Sequence, residues 1–208
     1  MTYTLFHTAP VHQDSFETLR QRLAPDATLT HVVREDWLAR AQSGLDDALH
    51  AEITDAIRAC TGPVLCTCTT LGQTAEEAGA IRIDQPMMQA AAETDASVLM
   101  AYCLTSTEKP SRALLQREMT KANNAAPIVP VFLGAHWPWF EAGSYEAFAI
   151  AIAADIRAAV AKTPSAGAVV LAQASMAGAT DHLELSIPVF SSPALAFGAL
   201  LNQGPLGT

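Results

Sequence analysis

The sequence predicts an α/β protein in which parallel strands are covered by helices. Three observations lead there. Short apolar runs of strand length alternate with longer, alanine-rich segments of helical period along the whole chain. Half of the residues are apolar and only 16% are charged, enough apolar matter for a sizeable core and too little charge for a disordered chain. The stretch Gly62 to Leu71, GPVLCTCTTL, also has a second version from Gly167 to Met176, GAVVLAQASM, so the order of elements repeats.

Taken in order, the strands are expected at Tyr3–His7, Thr28–Val33, Pro63–Thr67, Ala80–Ile83, Ser97–Ala101, Ile128–Leu133, Ala168–Ala172 and Pro188–Phe190. Each is a short apolar or β-branched run closed by turn-forming residues. Helices fill the gaps at Ser15–Leu23, Gly44–Cys60, Thr74–Gly79, Met87–Thr94, Ser111–Ala122, Ser144–Ala161 and Ala194–Leu201. Asp14 or Ser15 suits the start of the first helix, because a short side-chain oxygen accepts a free backbone N–H there. Pro86 and Pro193 suit first helical turns, where the missing N–H costs nothing. SFETLRQRL from Ser15 and SRALLQREM from Ser111 share a serine start and a leucine spacing, a second trace of the repeat. The tail from Gln203 to Thr208 is expected to be loose. Two lobes follow, residues 1–92 with 191–208 and residues 93–190.

Bulk charge narrows the partners. A net charge of -9 with 12 basic residues argues against a nucleic-acid partner. No apolar run is long enough to cross a bilayer, and Met1 to Thr8 starts directly in a strand pattern without a secretory leader. The cytoplasm is the expected location. In that reducing setting the four cysteines, Cys60, Cys66, Cys68 and Cys103, read as free thiols.

In an open parallel sheet, ligands bind outside the carboxyl ends of the strands, where helix N-termini present free N–H groups. The segments there are His7-Thr-Ala-Pro, Cys68-Thr-Thr-Leu-Gly, Cys103-Leu-Thr-Ser-Thr, Gly134-Ala-His-Trp and Gln173-Ala-Ser-Met. Thr8, Thr69, Thr70, Thr105, Ser106, Thr107 and Ser175 supply hydroxyls to these turns, a set suited to a small carboxylate.

CTCTTLG after a strand, IDQPM, LAQASMA after a strand and PVFSSPALA near the end resemble the aspartate/glutamate/hydantoin racemase superfamily over nearly the whole chain. That resemblance implies two flavodoxin-like lobes with parallel sheets, related by a pseudo-twofold, with substrate in the cleft between them. It implies chemistry without a cofactor, carried in the racemases by one cysteine from each lobe. The first cysteine falls on Cys68. The second falls on Gln173, where this chain departs from the pattern.

Two thiols serve a racemase because inversion needs a base on one face of the α-carbon and an acid on the other. Glutamine has no accessible pKa for this, although its amide can donate to an oxyanion or carboxylate. Single-thiol reactions stay open, among them isomerisation and protonation after decarboxylation. The site expected is therefore Cys68 as catalytic thiol, with His7, Thr8, Thr69, Thr70, Thr105, Ser106, Thr107, Gln173 and Ser175 binding substrate. The bland alternative is that Cys68 is a small core residue and the protein a small-molecule binder that kept the cleft and lost turnover. Cys66, inside its strand, reads as packing. A metal is not expected, because no C-x-x-C or H-x-x-x-H pair accompanies Cys66-x-Cys68. His7 either tunes the thiol or binds the substrate carboxylate, or is a hydrogen-bonded structural histidine. The aromatics of His136–Phe140 either cap the cleft or form a subunit contact in a homo-oligomer. Asp84 reads as a turn residue, and Glu76-Glu77 as the solvated start of a helix.

Overall fold

A computed structural model describes residues 2–41 and 44–203. Residues 204–208 of the tail expected to be loose lie outside the described residues. The chain is α/β and contains two four-stranded parallel sheets, with strand orders β2-β1-β3-β4 and β6-β5-β7-β8. It divides into two compact units, one up to Ile83 together with the segment from Pro193, the other Asp84–Ser192.

In the first unit the strands are β1 (Thr2–His7), β2 (Thr28–Val33), β3 (Val64–Cys66) and β4 (Ile81–Arg82). Strand alternation sends Phe6, Val64 and Cys66 to one face, where they meet Trp37, Leu49, Ile53, Ile57, Leu71 and Ala75 from α2 (Glu35–Ala41), α3 (Asp47–Arg58) and α4 (Gly72–Glu77) with its lead-in. The N-terminus of α3 is fixed by Asp46, whose carboxylate accepts from Leu49 N at 2.7 Å. Its start falls three residues beyond the glycine expected to open it, because Gly44 takes a left-handed φ of 105°. The helix α1 (Val11–Leu23) begins four residues before Ser15. Pro10 already has helical torsions, φ -61° and ψ -33°, so Asp14 and Ser15 lie inside the helix and cap nothing. Phe16 of α1 meets Phe197 of α9 (Ser192–Asn202) edge-on at 6.2 Å.

In the second unit the strands are β5 (Ser97–Tyr102), β6 (Ile128–Phe132), β7 (Ala166–Leu171) and β8 (Val189–Ser191). Every residue of β5 is buried, as a central strand covered on both faces must be. Met87, Met88, Ala91 and Ala92 of α5 (Gln85–Ala92) and Leu114, Leu115 and Met119 of α6 (Thr105–Lys121) cover one face. Phe148, Ile152 and Ile156 of α8 (Tyr145–Lys162) cover the other, with α7 (Trp137–Glu141) beside it. Those methionines tie α5 to the second sheet, so the units divide at Ile83 and Asp84 rather than after the helix. The helix α6 starts six residues before Ser111 and accommodates Pro110, which makes a serine start at position 111 wrong. At the sixth helical position Pro110 removes the N–H that would bond Ser106 O, and the helix is held there by the packing of Leu114, Leu115 and Met119 on the sheet.

The repeat is visible in the hydrogen bonds. Thr67 N donates to Phe6 O and Ala172 N to Ala101 O, both at 2.9 Å, while Arg34 N donates to His7 O and Leu133 N to Tyr102 O, both at 2.8 Å. Cys68 and Gln173 are therefore equivalent positions, as are Thr8 and Cys103. The glycines that open the two segments are required by close approach: a Cβ on Gly62 would stand 2.4 Å from Thr2 O, and one on Gly167 2.4 Å from the Ala96 Cβ. Since backbone cannot yield as a side-chain tip does, Gly62→Ala is expected to destabilise the protein by about 1–3 kcal/mol, read as a lower urea midpoint. An unchanged midpoint would show that β1 and β3 can part without loss.

Candidate functional site

In the first unit, β1 and β3 run side by side and end at His7 and Cys66, which places Thr8 and the segment Thr67 to Thr70 at the carboxyl end of the sheet. Cys68 is 7% exposed and belongs to the apolar cluster that contains Leu71 and Ala75. The Cys66 thiol is turned towards the Cys68 carbonyl oxygen at 3.7 Å, a buried packing role as its strand position suggests. Thr69 and Thr70 are half-buried, and Gly72 N closes the turn on Thr69 O at 3.1 Å. The helix that follows, α4, has six residues, so the dipole it offers a thiolate is small.

His7 is wholly buried and both of its ring nitrogens are occupied. Nδ1 lies 2.9 Å from Thr67 Oγ1 and Nε2 lies 2.8 Å from His31 Nδ1. Its ring is 5.8 Å from that of Phe16 on the α1 side, so its hydrogen-bonding capacity is spent within its own unit. Burial first, then the neighbouring His31 and His12, hold its pKa down to about 3, which keeps the ring neutral at physiological pH. Sequence reasoning singled out His7 but passed over Thr67, His31 and Glu17, the side chains in line with it; alternation of His31 along β2 was the only local signal for any of them.

In the second unit Gln173 is the second residue after β7 and is 9% exposed. Its Oε1 accepts from Cys103 N at 2.6 Å and from Leu104 N at 3.0 Å, just ahead of α6. The carbonyl half of the amide is therefore committed to backbone donors, and the NH2 group is the part that remains to donate outward. Thr105 and Ser106 are exposed in the first turn of α6, while Thr107 is buried and its N–H returns to Leu104 O at 3.0 Å. The Ser175 hydroxyl is buried and has no hydrogen-bond partner among the described residues, as is that of Ser192 at the start of α9. Buried hydroxyls of this kind normally find a partner.

Cys103, the remaining cysteine at a strand end, is 2% exposed, and burial pushes its thiol up to about 12. It is thus a poor nucleophile at neutral pH. Brief iodoacetamide treatment followed by peptide mapping is expected to leave Cys103 unmodified while Cys68 is labelled. Preferential label on Cys103 would move the reactive thiol to the other unit. The aromatic segment is anchored to its own unit: Trp137 stacks on Phe140 at 4.9 Å, Phe140 packs on Phe148 at 5.4 Å, and His136 Nε2 pairs with Asp155 at 2.8 Å, leaving Trp139 exposed. Among the described residues, no three His, Cys, Asp or Glu side chains gather as a metal would need, and no helix is long and apolar enough to cross a membrane.

Neither a family model nor a curated protein matches the sequence. Solved structures do match the fold. The aspartate racemase of Picrophilus torridus superposes with a TM-score of 0.65 at 13% identity, over 97% of this chain and 92% of that one. Unliganded arylmalonate decarboxylase superposes with a TM-score of 0.60 at 14% identity, over 100% of this chain and 94% of that one. The chain carries the fold of the aspartate/glutamate racemase superfamily. Glutamate racemase from Aquifex pyrophilus extends the likeness, with a TM-score of 0.56 at 11% identity over 97% of this chain and 83% of that one. Both outcomes of the superfamily's chemistry that those names print, racemisation and decarboxylation, thus occur on this fold.

Proposed function

We propose that this protein is a cofactor-independent enzyme of the racemase superfamily that acts on a small carboxylate with one thiol, Cys68, working in the reducing cytoplasm. The observation that carries the reading is the equivalence of Cys68 and Gln173 in the repeated hydrogen-bond register, which puts a thiol at one of the two paired positions and an amide at the other. A thiol can remove or deliver a proton, and an amide cannot. In this reading Cys68 exchanges a proton with the substrate carbon. At the carboxyl end of the first sheet Thr8, Thr69 and Thr70 offer hydroxyls suited to a carboxylate, and at the carboxyl end of the second the Gln173 NH2, Ser175 and the Thr105–Thr107 turn offer donors of the same kind. The unpartnered Ser175 hydroxyl supports this, since a buried donor without a protein partner is suited to a ligand.

One working face preserves handedness. Incubated in deuterated water, an enantiopure amino acid or hydantoin that enters the site is expected to gain deuterium with retained configuration, and an arylmalonate to yield a single product enantiomer. Chiral chromatography with mass analysis reads both. Efficient inversion by the unmodified protein would require a second proton donor and would end the one-thiol mechanism. The burial of Cys68 in an apolar cluster favours a second reading, a binding protein that has lost turnover. It predicts ligand binding with no isotope exchange and no product.

A further inference from the structure

The first unit holds a line of polar side chains that none of the steps above uses. It runs from Thr67 through His7 and His31 to Glu17, with Thr67 Oγ1 to His7 Nδ1 at 2.9 Å, His7 Nε2 to His31 Nδ1 at 2.8 Å and His31 Nε2 to Glu17 Oε1 at 3.2 Å. Arg20 Nε holds the other Glu17 oxygen at 2.7 Å. The line begins at a buried hydroxyl beside the end of β3 and finishes on a carboxylate with 37% of its side chain exposed.

Two arrangements of protons satisfy all three links. In the first, Thr67 donates to His7 Nδ1, His7 donates from Nε2 to His31 Nδ1, and His31 donates from Nε2 to Glu17, with both rings neutral. In the second, the Thr67 hydroxyl donates instead to Phe6 O, 3.1 Å away, and accepts from His7 Nδ1. His31 then donates from both nitrogens, one towards His7 and one towards Glu17, and is an imidazolium. The second arrangement holds one proton more than the first, and it reverses the direction of both links between Thr67 and His31.

We propose that Thr67, His7, His31 and Glu17 form a proton relay that takes a proton from an acidic group at the carboxyl end of β3, the Cys68 thiol in the reading above, and parks it on His31 against the Glu17 carboxylate. The proposal rests on the proton-transfer reading of the site that begins at Cys68, the residue after Thr67. The count balances. As the donor's proton reaches the Thr67 oxygen, the Thr67 proton passes to His7 Nδ1 and the His7 Nε2 proton passes to His31 Nδ1. The donor is left with one negative charge and His31 with one positive charge, while Thr67 and His7 are neutral before and after. His7 can conduct without keeping the proton because burial and the nearby His31 and His12 make its own cation unfavourable. Glu17 is held in its charged form, below the usual carboxylate range, by Arg20 first and His31 second. The titratable and charged groups that face the two rings are His12, Glu17 and Arg20 from α1, with His12 6.4 Å from His7, while the residue after β3 contributes the neutral Thr67 hydroxyl.

The test is a pH titration of the full chain with 15N-labelled histidine, followed by NMR of the ring nitrogens. His7 is expected to stay neutral while its N–H moves from Nε2 to Nδ1 at the pH where His31 acquires its second N–H. Glu17→Gln, which removes the carboxylate facing the His31 cation, moves both events together to lower pH, and His31→Gln abolishes the exchange at His7. A His7 ring that keeps one tautomer throughout, or that becomes doubly protonated in the same step, overturns the relay. The wild-type spectra decide this even where a variant does not fold. For the link to the site, the rate of Cys68 alkylation is followed against pH. Its midpoint is expected to move in His31→Gln, and an unmoved midpoint in a folded variant refutes the link. Cys68 labelling and isotope exchange by the wild-type protein judge the one-thiol reading separately, so the relay can fail while that reading stands.

Discussion

Cys68→Ser is expected to abolish isotope exchange and product formation, by about a thousandfold or more, while leaving ligand binding in place. Serine keeps the size and puts a hydroxyl in place of the thiol, but its proton is far less acidic than a thiol's, so it cannot act as base or deliver a proton at neutral pH. The binding half is measured by thermal shift on a panel of dicarboxylates, hydantoins, arylmalonates and short amino acids. A ligand at 100 times its dissociation constant adds about 2.7 kcal/mol to wild type, and the same gain is expected for the variant. A variant that keeps turnover would remove Cys68 from the chemistry. One that binds as wild type, where wild type itself turns nothing over, would establish the binding-protein reading.

Trp37→Ala is the substitution expected to cost the most stability, about 3–5 kcal/mol. The indole is 1% exposed, stacks on Phe6 with ring centroids 5.5 Å apart and donates from Nε1 to Glu52 at 3.1 Å. Arg34 lies over the ring at 4.4 Å and pairs with the same Glu52, which Arg40 also holds at 2.6 Å. Truncation opens a large cavity beside β1 and removes the plate on which this ion-pair network rests. Urea unfolding followed by circular dichroism checks it, with Trp139→Ala as the contrast: that ring is 45% exposed and its loss is expected to change stability by no more than about 0.5 kcal/mol. Equal midpoints for the two variants would contradict the packing account.

The helix that carries Trp37 was not foreseen. Its stretch from Glu35 to Ala41 is seven residues with charges at both ends, and so short a helix has little propensity of its own. It forms because Trp37 and Ala41 have a sheet to lie against. The same holds for the early starts of α1 and α6, where the chain leaves a strand end and can wind at once into a helix packed on the sheet. Asp14, Ser15 and Ser111 are good starting residues by local rules, yet all three lie inside helices. Propensity is a weak prior wherever packing decides.

What the sequence determined by itself was periodic or repeated. All eight strands among the described residues lie where apolar runs of strand length meet turn residues, and the pairing of Gly62 with Gly167 carries the pairing of Cys68 with Gln173, because strand register counts residues one by one from a fixed start. Tertiary structure alone decided which polar atoms meet. His7 joins Thr67 across 60 residues and His31 across 24, and the Gln173 oxygen finds the Cys103 N–H across 70. A run of residues sets the local period because each neighbour feels the next through the backbone. A hydrogen bond between distant side chains exists only after separate strands have come together in one sheet, and no short stretch of sequence contains both partners.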